Sequence, residues 1–363
     1  MKDPRMSNYG PSDFNWELWH RGPLLDRENV VLVHGYRLPL AARRGRCDHQ
    51  FSRLDELLQS ESDGFNVWQF EYVASPWGTY DTVSTYATRL SKAIDRITAL
   101  TGQSACSLVA YSMGGLIARQ YLAAGGKSRV SKLLTLAVPN MGTVRFEPFS
   151  LSVSDRILPR AAAELRPDGR LLWDLNTRVD SSSVSDFAAI GGNAWGNSDG
   201  VVEVSSTSLA RCGPDGSILE TLYFAGVNRS HLGINRIKSD DDDVFLLINA
   251  FLKSGVRGIS SLRSSERPGD YRVPYFLTFS LQTLSGKRSL NPTVIVSNTG
   301  RRYAGMRVLT QGAKTVEGAT IFTLQLAPDE DGEADILCSR EKCATVRLCS
   351  GQSTVITQPI LCG

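Results

Sequence analysis

The chain has only four histidines, and it lacks any apolar run long enough to cross a membrane. A transmembrane helix needs about 20 predominantly apolar residues, so we expect no membrane span. The N-terminal residues carry charges but no apolar segment after them, and we therefore expect no secretory signal peptide. Together these absences favour a cytoplasmic location.

A surplus of charge is also missing. The 40 basic and 37 acidic residues leave a net charge of +3, whereas binding to nucleic acid depends largely on many Lys and Arg contacts with phosphates. We therefore predict no nucleic-acid partner. The composition, with 42% apolar and 21% charged residues, is typical of a folded globular protein.

Four of the seven cysteines lie close together near the C-terminus, at Cys338, Cys343, Cys349 and Cys362. Disulfides in an oxidising compartment, free thiols and a zinc site are the alternatives. None of the spacings is the short C-x2-C of most zinc sites. Disulfides would imply export by a route that needs no signal peptide. The acidic run at residues 240–243 could hold calcium, but it is interpreted as a cap of the helix that starts at Val244, and we predict neither a cofactor nor a resident metal.

A chain of 363 residues is long for one hydrophobic core, and its pattern divides in two. Up to residue 253, short apolar runs alternate with segments of helical periodicity, which predicts a mostly parallel sheet covered by helices on both faces. Residues 254–270 are rich in Ser, Gly and Arg, as linkers are. Short β-prone runs beyond them predict an antiparallel sandwich. We therefore predict an α/β domain at residues 1–257 and a β-rich domain at residues 258–363.

Residues 144–186 lie between two predicted strands of the sheet, where lids are commonly inserted. The segment is apolar, with Phe146, Phe149, Leu151, Ile157, Leu158, Leu165, Leu172 and Trp173. It either lines a pocket for an acyl chain or packs on the core as a plain connecting helix, and the sequence does not decide between the two.

Ser112 lies in the short segment Ala110–Gly114, between a predicted strand and a predicted helix. A serine on such a tight turn is exposed above the sheet, and the residues two before and two after it must be small. Ala110 and Gly114 meet that need, although Gly is more usual at the first position. The pattern predicts Ser112 as a nucleophile and the backbone N–H of Met113 as an oxyanion donor.

A serine nucleophile on this turn needs a histidine that follows it in the chain. Only His231 follows Ser112, and it also follows the last predicted strand of the sheet. We therefore predict His231 as the general base. His34 comes directly after an early strand and is interpreted as structural, while the backbone N–H of Tyr36 in the same loop is predicted as the second oxyanion donor.

The acid of such a triad should follow the penultimate strand. Asp199 lies in a turn after the predicted strand Phe187–Ile190. Asp186 is the alternative, but it precedes that strand and would lie at the wrong end of the sheet. We therefore predict Asp199 as the residue that orients His231 and stabilises its charged form.

Several short segments accompany these residues: VLVHG at 31–35, YSMGG at 111–115, VPNMGT at 138–143, LRP at 165–167, LLWDLN at 171–176, SDGVV at 198–202 and SHL at 230–232. Through them the chain resembles bacterial lipases and the related GPI-inositol-deacylase-like lipases of the α/β-hydrolase fold, over roughly residues 28–253. Asn140 stands where such lipases often have histidine.

The resemblance implies hydrolysis of carboxylic esters, often of lipids, with a lipid or small ester as substrate and peripheral contact with a lipid surface. Phospholipase, thioesterase and acyltransferase activities are alternatives that would use the same Ser–His–Asp set. A binding protein built on a hydrolase scaffold is a further alternative, although it would have no need to keep all three residues. The sequence does not predict an oligomeric state.

Overall fold

The structure is a computed structural model. It describes residues 6–10, 16–37, 48–61, 63–72, 81–143, 160–167, 169–177, 184, 186–220, 222–272, 274–283, 292–304, 315–316, 319–349 and 352–362. Cys47 and five of the apolar residues of the predicted lid, Phe146, Phe149, Leu151, Ile157 and Leu158, lie outside these ranges.

Eight strands form the first sheet: β1 (Met6–Asn8), β2 (Glu17–Arg21), β3 (Asn29–Val33), β4 (Asn66–Glu71), β5 (Cys106–Tyr111), β6 (Val130–Leu136), β7 (Asp186–Gly192) and β10 (Tyr223–Val227). Their order across the sheet is β1-β2-β4-β3-β5-β6-β7-β10. β1 and β2 pair antiparallel, and every pairing from β4 to β10 is parallel. The predicted mostly parallel sheet is therefore confirmed.

The helices of the described residues are α1 (Asp48–Phe51), α2 (Leu54–Ser60), α3 (Val83–Thr101), α4 (Met113–Ala123), α5 (Arg160–Glu164), α6 (Arg170–Thr177), α7 (Val204–Thr207) and α8 (Asp243–Leu262). One hydrophobic cluster joins α3, α4 and α6 to one face of the sheet, and a second joins α2 and α8 to the other face. Burial on both faces explains why the central strands are apolar throughout. None of the described helices has the length and apolarity of a membrane span.

The C-terminal residues form two further sheets from β11 (Tyr275–Thr283), β12 (Pro292–Val296), β13 (Arg302–Ala304), β14 (Thr315–Val316), β15 (Ala319–Leu326), β16 (Gly332–Cys338), β17 (Glu341–Leu348), β18 (Ser353–Val355) and β19 (Ile360–Cys362). Their inner faces share one hydrophobic core, as expected of a sandwich. The sheet β13-β12-β16-β17 is antiparallel. The other sheet is mixed, because β11 pairs parallel with β18 and β19, and the expectation of a purely antiparallel sandwich was wrong in this respect.

A hairpin from the first part of the chain belongs to the mixed C-terminal sheet. Its strands β8 (Arg211–Cys212) and β9 (Ile218–Glu220) lie in sequence between β7 and β10, yet β8 pairs with β18. The division of the chain at residues 257 and 258 stays a prediction, but strand pairing joins the two parts across it. Sequence periodicity cannot reveal such a pairing because its partners are far apart in the chain.

Helix α8 continues to Leu262, through most of what the sequence suggested was a linker. It kinks at Ser254 and Gly255, where Gly255 has a φ of 61°. The backbone N–H of Val256 donates to Asp186 Oδ1 at 2.9 Å, so the carboxylate caps the restarted helix. The linker interpretation of residues 254–262 was wrong because the helix resumes after the kink, where Asp186 accepts from one of its first N–H groups.

We expect a chain that ends at Leu262 to lose its cooperative fold. Truncation would remove β18 from β8 and expose Met141, which packs with Phe276 and Val355 of the C-terminal sheet. It would also remove the acceptor of Ser205, whose hydroxyl donates to the Pro274 carbonyl at 2.5 Å. Size-exclusion chromatography and thermal melting by circular dichroism test this, and a soluble monomer with a sharp transition like that of the full chain would contradict it.

Candidate active site

Ser112 occupies a strained turn between β5 and α4. Its φ of 52° and ψ of −129° lie in a region that residues with a side chain rarely adopt. Its backbone N–H donates to the Leu136 carbonyl at 2.8 Å, which extends the pairing of β5 with β6 to the serine. The strain is thus maintained by the sheet on one side and by the helix on the other, and it holds the hydroxyl above the strand ends.

Glycine is needed after Ser112 because the backbone of α4 lies against the end of β3. A Cβ at Gly114 would lie 2.4 Å from the carbonyl oxygens of Val33 and His34, which no side chain tolerates. A Cβ at Gly115 would lie 2.2 Å from the Val138 side chain. Small residues at these positions therefore bring the start of the helix, and Met113 with it, against the loop that follows β3.

His231 and Asp199 complete a chain of hydrogen bonds with Ser112. Ser112 Oγ lies 3.0 Å from His231 Nε2, and His231 Nδ1 lies 2.7 Å from Asp199 Oδ2. Asp199 is 1% exposed, and Ser112 and His231 are each 7% exposed. The structure thus brings together the three side chains that the sequence selected, although they lie on three different loops.

The turn around Asp199 fixes the direction of its carboxylate. The backbone N–H groups of Val201 and Val202 donate to Asp199 Oδ1 at 2.8 and 2.7 Å, which leaves Oδ2 for His231. The backbone N–H of His231 in turn donates to the Asp199 carbonyl at 2.8 Å. An arrangement of this kind can hold the imidazole in one tautomer, accept the serine proton at Nε2 and stabilise the resulting charge.

Tyr111 holds the backbone of His231 in place. Its hydroxyl donates to the His231 carbonyl at 2.8 Å. Burial, and then the negative charge of Asp199, raise the pKa of Tyr111 well above its ordinary value. The raised pKa keeps the phenol protonated at neutral pH, where its hydroxyl is a donor.

The loop that contains Tyr36 lies against the serine. A Cβ at Gly35 would lie 2.8 Å from Ser112 Cβ. The Gly35 N–H donates to Gln50 Oε1 at 2.7 Å, and the Tyr72 hydroxyl donates to the Gly35 carbonyl at 2.7 Å. The loop is thus fixed beside Ser112 from two sides, while the oxyanion roles of Tyr36 and Met113 stay predictions.

His34 is fully buried. Its Nδ1 lies 2.7 Å from the Gly35 carbonyl oxygen, and its Nε2 lies 2.7 Å from Glu71 Oε1. Its ring stacks on Tyr72 with 3.9 Å between centroids. Glu71 also forms an ion pair with Arg37. With both ring nitrogens engaged, His34 anchors the loop, as the interpretation of a structural histidine requires.

Glu71, Tyr72 and Gln50 escaped the sequence analysis because each acts on a loop remote from it in the chain. One signal was present for Glu71, since a carboxylate stands at the end of a strand that is otherwise apolar or uncharged. Buried charges are rare unless they are paired. Such a residue could therefore have been marked as the partner of a buried cation or imidazole.

Asn140 belongs to a second buried network rather than to the hydrogen-bond chain. Its Oδ1 accepts from Arg119 at 3.1 Å, and its Nδ2 donates to the Thr207 carbonyl at 2.9 Å. Arg119 also donates to Asn176 Oδ1 at 3.0 Å. Asn140 therefore ties the loop after β6 to α4 and α6, which gives it a structural use in this chain.

Asp186 and Cys106 begin their strands and so lie at the opposite end of the parallel sheet from Ser112. Asp186 starts β7 and caps the second half of α8, whereas Asp199 follows the other end of that strand. Cys106 is buried in β5, where burial raises the pKa of its thiol to about 12. Neither residue is therefore placed to take part in chemistry at Ser112.

The described part of the predicted lid packs against the helices of the core. Leu165 and Leu172 belong to the same hydrophobic cluster as residues of α3 and α4. Both side chains are buried, Leu165 with 3% and Leu172 with 1% of its surface exposed. This part of residues 144–186 therefore packs as a connecting segment would.

Comparison with known proteins bears on the fold that holds these residues. Residues 28–174 match a family model described as the alpha/beta hydrolase fold. No curated protein matches the chain significantly. The phospholipase PlaB from Legionella pneumophila superposes with a TM-score of 0.61 over 92% of this chain and 93% of that chain, at 13% identity. PlaB in complex with thio-NAD gives a TM-score of 0.62 at 12% identity, over the same shares.

The mature lipase BlEst2 from Bacillus licheniformis is similar over 69% of this chain and 98% of its own, with 16% identity and a TM-score of 0.47. At these low identities, the match to PlaB establishes the fold. The chain therefore has the α/β-hydrolase fold, with additional β-sheets at its C-terminus.

We expect Asp199→Asn to slow the reaction of Ser112 with a fluorophosphonate probe by a factor of roughly 10³ to 10⁴, because an amide stabilises neither the required tautomer nor the imidazolium. Asp186→Asn is the matched control. It keeps an oxygen that can accept from the Val256 N–H and lies at the other end of the sheet from Ser112, so labelling should stay within about twofold. Rates of labelling measured by mass spectrometry decide the matter, and the reverse ranking would exclude Asp199 as the acid.

Proposed function

We propose that the protein is a serine hydrolase of carboxylic esters that uses Ser112 as nucleophile, His231 as general base and Asp199 as the orienting acid. One observation carries the proposal. The Ser112–His231–Asp199 chain, with distances of 3.0 and 2.7 Å, begins at a serine on a strained turn. Strain of this kind is costly and is found mainly where function requires it.

The proposed reaction proceeds through an acyl-enzyme. His231 Nε2 accepts the proton of Ser112 as the serine oxygen attacks the ester carbonyl. The backbone N–H groups of Tyr36 and Met113 donate to the oxyanion, and each such donor contributes roughly a hundredfold or more to the rate. His231 then protonates the leaving alcohol. A water molecule, deprotonated by the same histidine, releases the acid and restores Ser112.

We further propose that the substrate is a lipid presented at a surface. Two large apolar side chains on the loops of the proposed triad are exposed, Trp195 by 61% and Leu232 by 62%. Leu232 directly follows His231, and the Trp195 ring packs over Gly200, next to Asp199. The two loops are joined by hydrogen bonds, including that from the Ala194 N–H to the Arg229 carbonyl at 3.4 Å. Exposed apolar groups beside a site favour contact with lipid.

A phospholipid is the substrate class that the comparisons favour. The likeness to PlaB extends over 92% of this chain and therefore includes the C-terminal sheets. A phospholipase would release a fatty acid from a glycerophospholipid by the steps given above. A triacylglycerol lipase, a GPI-inositol deacylase, a thioesterase or an acyltransferase would use the same residues. These activities would differ only in the alcohol or thiol that leaves, or in the molecule that accepts the acyl group.

We expect Ser112→Ala to retain less than about a thousandth of the wild-type activity on p-nitrophenyl esters and to lose all fluorophosphonate labelling. A folded Ser112→Ala variant that keeps substantial activity would exclude Ser112 as nucleophile.

For the wild type we expect a higher kcat/KM with octanoyl than with acetyl p-nitrophenyl esters, because each buried methylene contributes about 0.8 kcal/mol to binding. Release of fatty acid from phosphatidylcholine vesicles should accompany these activities.

We expect Trp195→Ser combined with Leu232→Ser to lower hydrolysis of phospholipid vesicles at least fivefold, while turnover of a soluble acetyl ester stays within about twofold. The loss follows from removing apolar surface that would bury in the lipid. Leu25→Ser is the control, since Leu25 is 48% exposed but precedes β3 and lies at the other end of the sheet. Equal losses on both substrates would mean that Trp195 and Leu232 shape the site rather than contact lipid.

A further inference from the structure

The hairpin β8–β9 places a cysteine beside the C-terminal chain. Residues 210–214 contact two described segments, 347–349 and 352–354: the Ser353 N–H donates to the Ala210 carbonyl at 3.1 Å, and the Arg347 N–H donates to the Pro214 carbonyl at 2.8 Å. Within this ladder Cys212 is the partner of Thr354.

The two thiols of this region lie on neighbouring segments. Cys212 Sγ lies 3.3 Å from Thr354 Oγ1, and Cys349 Sγ lies 3.8 Å from the carbonyl oxygen of Gly216, in the hairpin that contains Cys212. A disulfide requires two cysteines whose backbones are already held at short range. The pairing of Cys212 with β18, and the contact of Cys349 with Gly216 of the same hairpin, hold the two segments side by side in the folded chain.

We propose that Cys212 and Cys349 form a disulfide. This bond would be a redox-dependent link between the hairpin β8–β9 and the C-terminal sandwich. The oxidant that the proposal requires is a small disulfide of the glutathione class. The proposal is independent of the substrate and would hold for any activity of Ser112.

The exposure of the two cysteines sets the order of the steps. Cys349 is partly exposed, whereas Cys212 is fully buried. Burial, and then the neighbouring Cys349 thiol, raise the pKa of Cys212 to about 12. Because the thiolate is the attacking species, Cys349 attacks the small disulfide first and displaces one small thiol. Cys212 then loses its proton, attacks the sulfur of Cys349 and displaces the second small thiol. Two protein thiols are oxidised and one small disulfide is reduced.

The remaining C-terminal cysteines form a separate group. Cys338 and Cys362 belong to the core of the sandwich, and Cys343 packs against that core. A bond among these three would join strands of one domain and would leave the hairpin free. The pair Cys212–Cys349 differs because it closes a loop that includes β10, His231, α8 and most of the sandwich. A cross-link that closes a long loop restricts the unfolded chain strongly.

The test uses the full chain, oxidised with glutathione disulfide and then freed of the reagent. Peptide mapping without reduction should recover a Cys212–Cys349 linked peptide. The melting temperature should rise by about 5 °C on oxidation and return with dithiothreitol. The rise should be absent in Cys349→Ser and in Cys212→Ser, and it should persist in Cys343→Ser, which removes a thiol of the other group.

Either of two results would overturn the proposal. The first is a peptide map without the Cys212–Cys349 peptide, including a map in which Cys349 keeps a glutathione adduct. The second is an increase in melting temperature on oxidation that persists in Cys349→Ser. Because Cys349 is partly exposed, its serine variant is expected to fold, and the map of the wild-type protein needs no variant at all. The activity of the oxidised and reduced chains at 25 °C should agree within about twofold, since neither cysteine contacts the three residues of the proposed triad.

Discussion

The backbone of α4 lies against the carboxyl end of β3, and the rest of the site depends on that contact. The space at Gly114 is too small for a Cβ, which would lie 2.4 Å from two carbonyl oxygens. This approach brings Ser112, at the end of β5, beside the loop that contains Gly35 and Tyr36. Without the close approach of α4 to β3, Ser112 and the backbone N–H of Met113 would lie away from the loop that contains Tyr36, and the two proposed oxyanion donors would be separated.

The parallel sheet supplies the remaining geometry. Residues that follow β3, β5, β7 and β10 meet at one edge of the sheet because parallel strands end on the same side. His231 and Asp199 therefore come close to Ser112 although the chain separates them widely. Short backbone hydrogen bonds then fix the final orientation, since two N–H groups hold one Asp199 oxygen and leave the other for His231.

The loops around the site are also held by hydrogen bonds between buried polar side chains. Glu71 fixes His34, and Arg119 joins Asn140 to Asn176. A buried polar group is costly unless its partners are in place, so such groups favour one arrangement of the loops over others. The C-terminal sandwich adds a further constraint, because β8 pairs with β18 and ties the chain between Asp199 and His231 to the mixed sheet.

The sequence alone determined the parallel sheet and the choice of Ser112, Asp199 and His231. Both follow from local patterns, namely apolar runs, a small residue on each side of a turn, and the order of strands along the chain. The tertiary structure alone decided which residues hold the loop of Tyr36, that β8 joins the C-terminal sheet, that α8 continues beyond residue 254, and that Cys212 and Cys349 lie on neighbouring segments. Each of these rests on a contact between segments distant in the sequence, and periodicity has no information about such contacts because it reports only which face of an element is buried.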